Sequence, residues 1–208
     1  MAGIAASLAL LLATPDAGYV DRLETLALVE QLNGELLASR SATLTLEHWC
    51  GLHRMADPPK LVAIRDRDAV KPAPPEVRAR LKVSAGEPLV YRRVRLTCGV
   101  RVMSEADNWY VPARLTAEMN AALDRTDTPF GKVVLSLGIQ RQTLGVERLW
   151  SPLPGDWAEA ATPTAGSPAP RLLFRHRAVL VTPAGLPIAE VVETYTRDVL
   201  DFPRHGAD

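Results

Sequence analysis

The segment that decides the fold runs from Pro88 to Cys98 and has the sequence PLVYRRVRLTC. Its residues alternate between two sets, one of which is apolar except for a single arginine: Val90, Arg92, Val94 and Leu96 on one side, and Tyr91, Arg93, Arg95 and Thr97 on the other. A period of two is typical of a β-strand with one buried face. Gly99 then turns the chain and residues 100–111 return as a second strand, so this segment predicts an antiparallel hairpin.

Helices and one further strand are predicted on the N-terminal side of this hairpin. Apolar residues at an incomplete 3.6-residue spacing predict a helix over residues 23–38. The hydroxyl-rich residues 41–45 are suited to cap the next helical turn or to face a pocket. Residues 60–65 predict a strand, and the prolines that open residues 72–81 favour a short helix.

On the C-terminal side, a helix is predicted to open at Pro112 and to continue through Leu123. Residues 127–131 predict a tight connection, and residues 140–150 predict a strand. A loop rich in proline and alanine follows at residues 152–170. A closing hairpin has its two strands at residues 172–181 and 188–196. This order of elements predicts an α+β fold with a single, mostly antiparallel β-sheet and flanking helices.

The chain of 208 residues has the length of one ordinary domain. We assign residues 1–18 to an N-terminal apolar segment and residues 19–208 to the domain. Residues 4–13, IAASLALLLA, have the length of a signal-peptide core but lack a preceding basic side chain, and they are too short to span a bilayer. The sequence therefore predicts a cytoplasmic protein without a membrane span, with periplasmic export as the alternative.

The composition argues against several classes of protein. The 24 basic and 24 acidic residues give a formal net charge of zero, so nucleic acid is not a predicted partner. The sequence has no Gly-rich phosphate loop, Rossmann fingerprint or Gly-x-Ser-x-Gly elbow. The four histidines lack metal-ligand spacing, and His176 is expected on a solvated or stacked face. Neither a metal nor an organic cofactor is predicted.

The two cysteines, Cys50 and Cys98, leave two interpretations open. They form one disulfide if the protein is exported, or remain two buried thiols if it is cytosolic. We favour the thiols slightly, because Cys98 lies in a strand where a small apolar residue fits.

Two charged residues lie in apolar strands. Arg92 shares its side of the strand with Val90 and Val94, and Glu193 lies within the largely apolar residues 188–195. A buried charge without a partner costs several kcal/mol, so Arg92 must meet an anion or a carboxylate. The alternative is that both residues pair with other side chains or face solvent.

A set of short motifs occurs in a characteristic order along the chain: RRVRLTC at 92–98, NWYVP at 108–112, TDTPFGK at 126–132, GLP at 185–187 and VETY at 192–195. Together they resemble the chorismate pyruvate-lyase family, which shares its fold with the ligand-binding domains of GntR-type transcription regulators. In that family an Arg-x-Ile-x-Leu strand is followed by a strand ending in Val-Pro and by a Thr-x-Pro-Leu-Gly turn. A Gly-x-Pro hairpin and a Thr-Glu-x-Phe strand come next. Residues 41–45, SATLT, are similar to its early Ser-Met-Thr segment.

The resemblance implies a chorismate lyase-like fold and an activity, the conversion of chorismate to 4-hydroxybenzoate and pyruvate in ubiquinone biosynthesis, without a cofactor. The implied ligand is a chorismate-like diacid. Two alternatives remain: a non-catalytic domain of the same fold that binds a small metabolite, and a lyase-like enzyme that acts on another cyclic acid. The oligomeric state is not predicted.

The resemblance also implies the site residues. Arg92 matches the family's substrate-binding and catalytic arginine, with Arg93 as the runner-up, and Glu193 matches its catalytic glutamate, with Glu190 as a weaker candidate. Three further residues are implied as substrate contacts: Ala42, Phe130 and Gly131. Phe130 replaces the family's leucine and Ala42 its methionine, which changes the expected shape of the pocket. Trp157 is expected to cover the pocket mouth.

Overall fold

Six strands form one sheet in the computed structural model, which describes residues 17–155 and 169–204. The strands are β1 (Leu61–Asp66), β2 (Val90–Cys98), β3 (Arg101–Tyr110), β4 (Gln140–Arg148), β5 (Leu172–Val181) and β6 (Pro187–Thr196). Their order is β1-β2-β3-β6-β5-β4, and every neighbouring pair is antiparallel. Among the described residues, none of the helices is long and apolar enough to cross a membrane.

The helices flank this sheet, which confirms the predicted α+β class. They are α1 (Ala17–Ala38), α2 (Ala42–Leu52), α3 (Pro75–Arg80), α4 (Ala117–Arg125) and α5 (Phe130–Val133). Short 3-10 turns lie at Pro112–Arg114, Leu135–Leu137 and Arg197–Leu200. The predicted helix from Pro112 through Leu123 is wrong in its continuity: a 3-10 turn opens at Pro112, but Leu115 is extended, and α4 begins after Thr116, whose hydroxyl accepts a hydrogen bond from the Met119 amide.

The two faces of the sheet carry different layers. The inner face packs against α1 and α2 through a core that includes Leu32, Leu46, Trp49, Val94 and Leu96. It also packs against α4 and α5 through Leu123 and Phe130. The outer face is covered in part by α3, whose Val77 packs with Trp109 and Val179. Because successive strand residues point to opposite faces, the neighbours Arg92 and Arg93 belong to different layers.

A disulfide joins α2 to the end of β2. Cys50 and Cys98 are both fully buried, with their Cα atoms 6.2 Å apart. The favoured interpretation of two thiols is therefore wrong. The local pattern around Cys98 describes only its own strand, whereas the pairing depends on how α2 packs across the end of the sheet.

Two sequence predictions concern residues outside the described ranges. They are the apolar segment at residues 4–13 and the expected position of Trp157 over the pocket mouth.

Candidate ligand-binding site

A pocket of about 320 Å³ lies between the inner face of the sheet, the start of α2 and α5. Most of its wall is apolar, contributed by residues such as Val94, Leu96, Ala106, Ile139, Leu180 and Val191. A volume of this size fits a small organic molecule. Three buried charged side chains, Arg92, Arg141 and Glu193, interrupt the apolar lining.

Arg92 projects into this pocket from the middle of β2, opposite Asn108 on β3. It is only 2% exposed, and its Nε and Nη2 atoms have no hydrogen-bond partner among the described residues. Burial, reinforced by the positive charge of Arg65, lowers its pKa to about 10, so the guanidinium is still charged at neutral pH. Arg92 is thus a charged side chain in the pocket wall, and the burial of its Nε and Nη2 is not compensated by a hydrogen bond from the described residues.

Glu193 enters the pocket from β6 and pairs with an arginine from β4. Arg141 Nη1 donates a hydrogen bond to Glu193 Oε2 over 2.6 Å, and the Tyr195 hydroxyl donates to the same oxygen over 3.3 Å. Burial opposes the charge of Arg141, but Glu193 and Tyr195 outweigh it and raise the pKa of the guanidinium. Its Nε and Nη2 atoms have no partner among the described residues. Arg141 is therefore charged, and two of its nitrogen atoms remain without a partner among the described residues.

His176 lies beside this pair, because it is the cross-strand neighbour of Glu193 on β5. It is fully buried against the rings of Phe174 and Tyr195, and its Nε2 lies 2.7 Å from Oδ1 of Asn33 on α1. Burial, and then the charge of Arg141, lowers its pKa to about 4. His176 is therefore neutral at physiological pH. The prediction of a solvated face is wrong: His176 packs against aromatic rings, in tilted contact with Phe174 and edge-on to Tyr195.

The remaining wall is formed by the start of α2 and by α5, which touch closely. The Ser41 hydroxyl caps α2 by accepting a hydrogen bond from the Leu44 amide. A Cβ atom at Gly131 would lie 2.8 Å from Thr43 Oγ1 and 3.0 Å from Ser41 Oγ. A glycine is therefore needed for α5 to approach α2 this closely. Lys132 Nζ lies 2.5 Å from Glu47 Oε2 and joins the same two helices.

The structure brings the residues implied by the resemblance around this one pocket: Ala42, Arg92, Phe130, Gly131 and Glu193. Their roles stay predictions. The two runners-up lie on the outer face instead. Arg93 pairs with Asp107 at 3.2 Å, and the fully buried Glu190 receives two hydrogen bonds of 2.7 Å from Arg80.

Sequence reasoning missed Arg141 and Asn108, which also line the pocket. Asn108 follows from the strand register, because it is the cross-strand partner of Arg92. The available signal for Arg141 is that it shares its parity with the apolar Ile139, two residues earlier.

A relative from Sinorhizobium fredii (strain NBRC 101917 / NGR234), the uncharacterized protein y4mC, is 50% identical over 189 residues, which cover 88% of this chain and 80% of that protein. The chain belongs to the y4mC family. No known family profile matches the sequence.

Solved structures with a similar course of the chain come from several bacteria. YydK of Bacillus subtilis, named as a possible transcriptional regulator, has 15% identity and a TM-score of 0.42 over 71% of this chain and 63% of its own. The ligand-binding domain described for a GntR-family regulator of Bordetella bronchiseptica has 18% identity and a TM-score of 0.44, with coverages of 65% and 84%. The effector domain of PhnF from Mycobacterium smegmatis has 18% identity and a TM-score of 0.46, with coverages of 72% and 90%. The chain thus spans less than two thirds of the length of YydK.

Proposed function

We propose that this protein binds a small cyclic organic acid reversibly in the pocket and does not turn it over. The observation that carries the proposal is Arg92, a buried and charged guanidinium that lines a mostly apolar cavity and has two nitrogen atoms without a partner in residues 17–155 and 169–204. Leaving such a charge unpaired is costly, and a carboxylate from a ligand removes this cost.

The rest of the pocket fits the body of such a ligand. A guanidinium and a carboxylate form charge-assisted, commonly bidentate hydrogen bonds. The apolar lining, with Val94, Leu180 and Val191, suits a hydrocarbon ring. The unpartnered Nε and Nη2 of Arg141 can donate to an oxygen at the other end of the ligand.

The test uses 4-hydroxybenzoate as the probe and isothermal titration calorimetry as the measurement. Arg92→Met should weaken binding about ten- to a hundredfold, since a hydrogen bond to a charged group is worth about 1.5–3 kcal/mol. Arg93→Met is the matched control, because it removes the same charge from the outer face, and it should leave the affinity unchanged. The proposal fails if the wild-type chain shows no binding at millimolar probe, or if Arg93→Met is the damaging change.

A second candidate is the chorismate lyase activity that the sequence resemblance implies. The observation that favours it is that Arg92 and Glu193, from two different hairpins, line one pocket. In this reaction the ether bond at C3 of chorismate breaks and the C4 hydrogen is lost, and the departing enolpyruvate takes up a proton to give pyruvate. Arg92 would bind a carboxylate. Glu193 would hold the ring hydroxyl and act as the general acid or base.

Chorismate itself separates the two candidates. Incubation with the purified protein, followed by assays for pyruvate and 4-hydroxybenzoate, should show no turnover above background if the domain only binds its ligand. Turnover that is lost in both Arg92→Met and Glu193→Gln would establish the lyase instead.

A further inference from the structure

The charges of the buried side chains that line the pocket do not sum to zero. Arg92 and Arg141 contribute two buried positive charges, and Glu193, the one buried acidic residue that the described part of the chain contributes to the lining, adds one negative charge. Arg40 also lines the pocket but is exposed, so water screens its charge. Arg65, which adds to the positive potential at Arg92, is itself paired with Asp124 at 3.0 Å. One positive charge is left for a ligand to neutralise.

From this imbalance we infer that the pocket selects organic acids with one negative charge over acids of the same shape with two, and that Glu193 sets this selectivity. The inference deepens the proposed function and rests on it, since it names the charge class of the acid. A single carboxylate meets Arg92 and completes the neutralisation of the site.

A second carboxylate would meet negative charge on the side of the pocket formed by β4 and β6, where Glu193 pairs with Arg141. Arg141 Nη1 is held by Glu193 Oε2 at 2.6 Å, so a carboxylate that approaches Arg141 also approaches Glu193. Like charges repel strongly in a site from which water is excluded. A neutral oxygen of a hydroxyl, amide or carbonyl group can accept from Nε and Nη2 of Arg141 without this repulsion.

The experiment compares two ligands that differ by one charge and have nearly the same shape. Terephthalate carries two carboxylates, and 4-carbamoylbenzoate replaces one of them with a neutral amide. In calorimetric titrations of the wild-type chain at neutral pH, 4-carbamoylbenzoate should bind tighter by about tenfold or more.

Substitutions that change the number of buried charges in the pocket then test whether Glu193 causes the preference for 4-carbamoylbenzoate. Glu193→Gln leaves both arginines and should reverse the preference in favour of terephthalate. The double variant Arg141→Gln/Glu193→Gln leaves Arg92 alone and should restore the preference for 4-carbamoylbenzoate. Glu147→Gln, which neutralises an exposed glutamate outside the pocket, is the matched control and should behave as the wild type. Circular dichroism checks the fold of each variant, and Glu193→Ser replaces Glu193→Gln if the latter does not fold.

Two results would overturn the inference. The wild-type chain could bind terephthalate at least as tightly as 4-carbamoylbenzoate, or a neutral residue at position 193 could leave the ratio of the two dissociation constants unchanged. These failures differ from failure of the proposed function, in which 4-hydroxybenzoate does not bind or binding does not depend on Arg92.

Discussion

His176 is a buried titratable side chain whose neutral form is required by its surroundings. Arg141, Glu193 and Tyr195 face it on the sheet, and Asn33 bonds to it from α1. Its pKa falls from the ordinary value of about 6.5 to about 4, mainly because of burial. The unfolded chain therefore binds more protons than the folded chain between these two pH values.

The folded state should lose stability as the pH falls through this window. The contribution of His176 is complete above about pH 6.5 and is lost as the pH falls through about 4, by about 3 kcal/mol in total. His176→Gln should lack this part of the pH dependence when the free energy of unfolding in urea is compared at about pH 7 and about pH 4.5. His48→Gln, at an exposed position, is the control. Equal pH dependence in the wild type and His176→Gln would contradict the prediction.

The predictability of the candidate site differs from residue to residue. Arg92 could be singled out from sequence because valines occupy the positions two residues before and after it, so its burial followed from strand periodicity alone. Arg141 is harder to single out: Ile139, two residues earlier, gives a weak signal, but Arg141 lies between Gln140 and Gln142 on an edge strand whose residues are mostly exposed. Its burial results from tertiary packing and from its pairing with Glu193, more than fifty positions away, which no local pattern encodes.

Among the elements, α3 shows how one ion pair can fix a short helix on the sheet. A helix of six residues is too short to be stable by itself. Arg80, in its last turn, donates two hydrogen bonds of 2.7 Å to Glu190 on β6, and these raise the pKa of Arg80. Glu190 has no exposed surface, whereas the side chain of Arg80 is 30% exposed. Loss of Arg80 therefore leaves a buried carboxylate, whereas loss of Glu190 leaves a guanidinium that is partly exposed to water.

Removing Arg80 should destabilise the protein more than neutralising Glu190. Arg80→Met leaves a buried carboxylate whose nearest other cation, Arg177, is 3.9 Å away, and should cost about 3–5 kcal/mol. Glu190→Gln leaves a guanidinium that can reach water and should cost about 1–2 kcal/mol. Urea unfolding measures both, with Glu76→Gln as a control at an exposed position on the same helix. Equal losses for the two variants, or a larger loss for Glu190→Gln, would contradict this account.

The order and type of most elements could be predicted because their signals are local. The hairpin of β2 and β3 is an example, since alternation and a turn glycine lie within one segment. The full length of α2 could not be predicted. Its opposite, exposed side carries Leu44 and Leu52, so no clear polar stripe marks its periodicity. The buried side holds Ala42, Thr43, Thr45, Leu46, Trp49 and Cys50.

At the scale of the whole molecule, the pocket depends on segments that are distant in the sequence. The start of α2, the middle of β2 and the inner faces of β4 and β6 each contribute one part of its wall. Any bond that fixes α2 against the sheet also fixes this wall. The disulfide between Cys50 on α2 and Cys98 on β2 is such a bond, and it closes a loop across 48 positions of sequence separation.

Loss of this cross-link should lower stability without changing the fold. Closing a loop of this length is worth up to about 4 kcal/mol through the entropy of the unfolded chain. The variant Cys50→Ala/Cys98→Ala should therefore unfold about 5–15 °C below the wild type in a thermal melt followed by circular dichroism. Reductant should lower the midpoint of the wild-type chain, once the buried bond is reduced, and leave that of the variant unchanged. If the alanine variant melts with the wild type, and reductant affects neither, the disulfide does not hold α2 on the sheet.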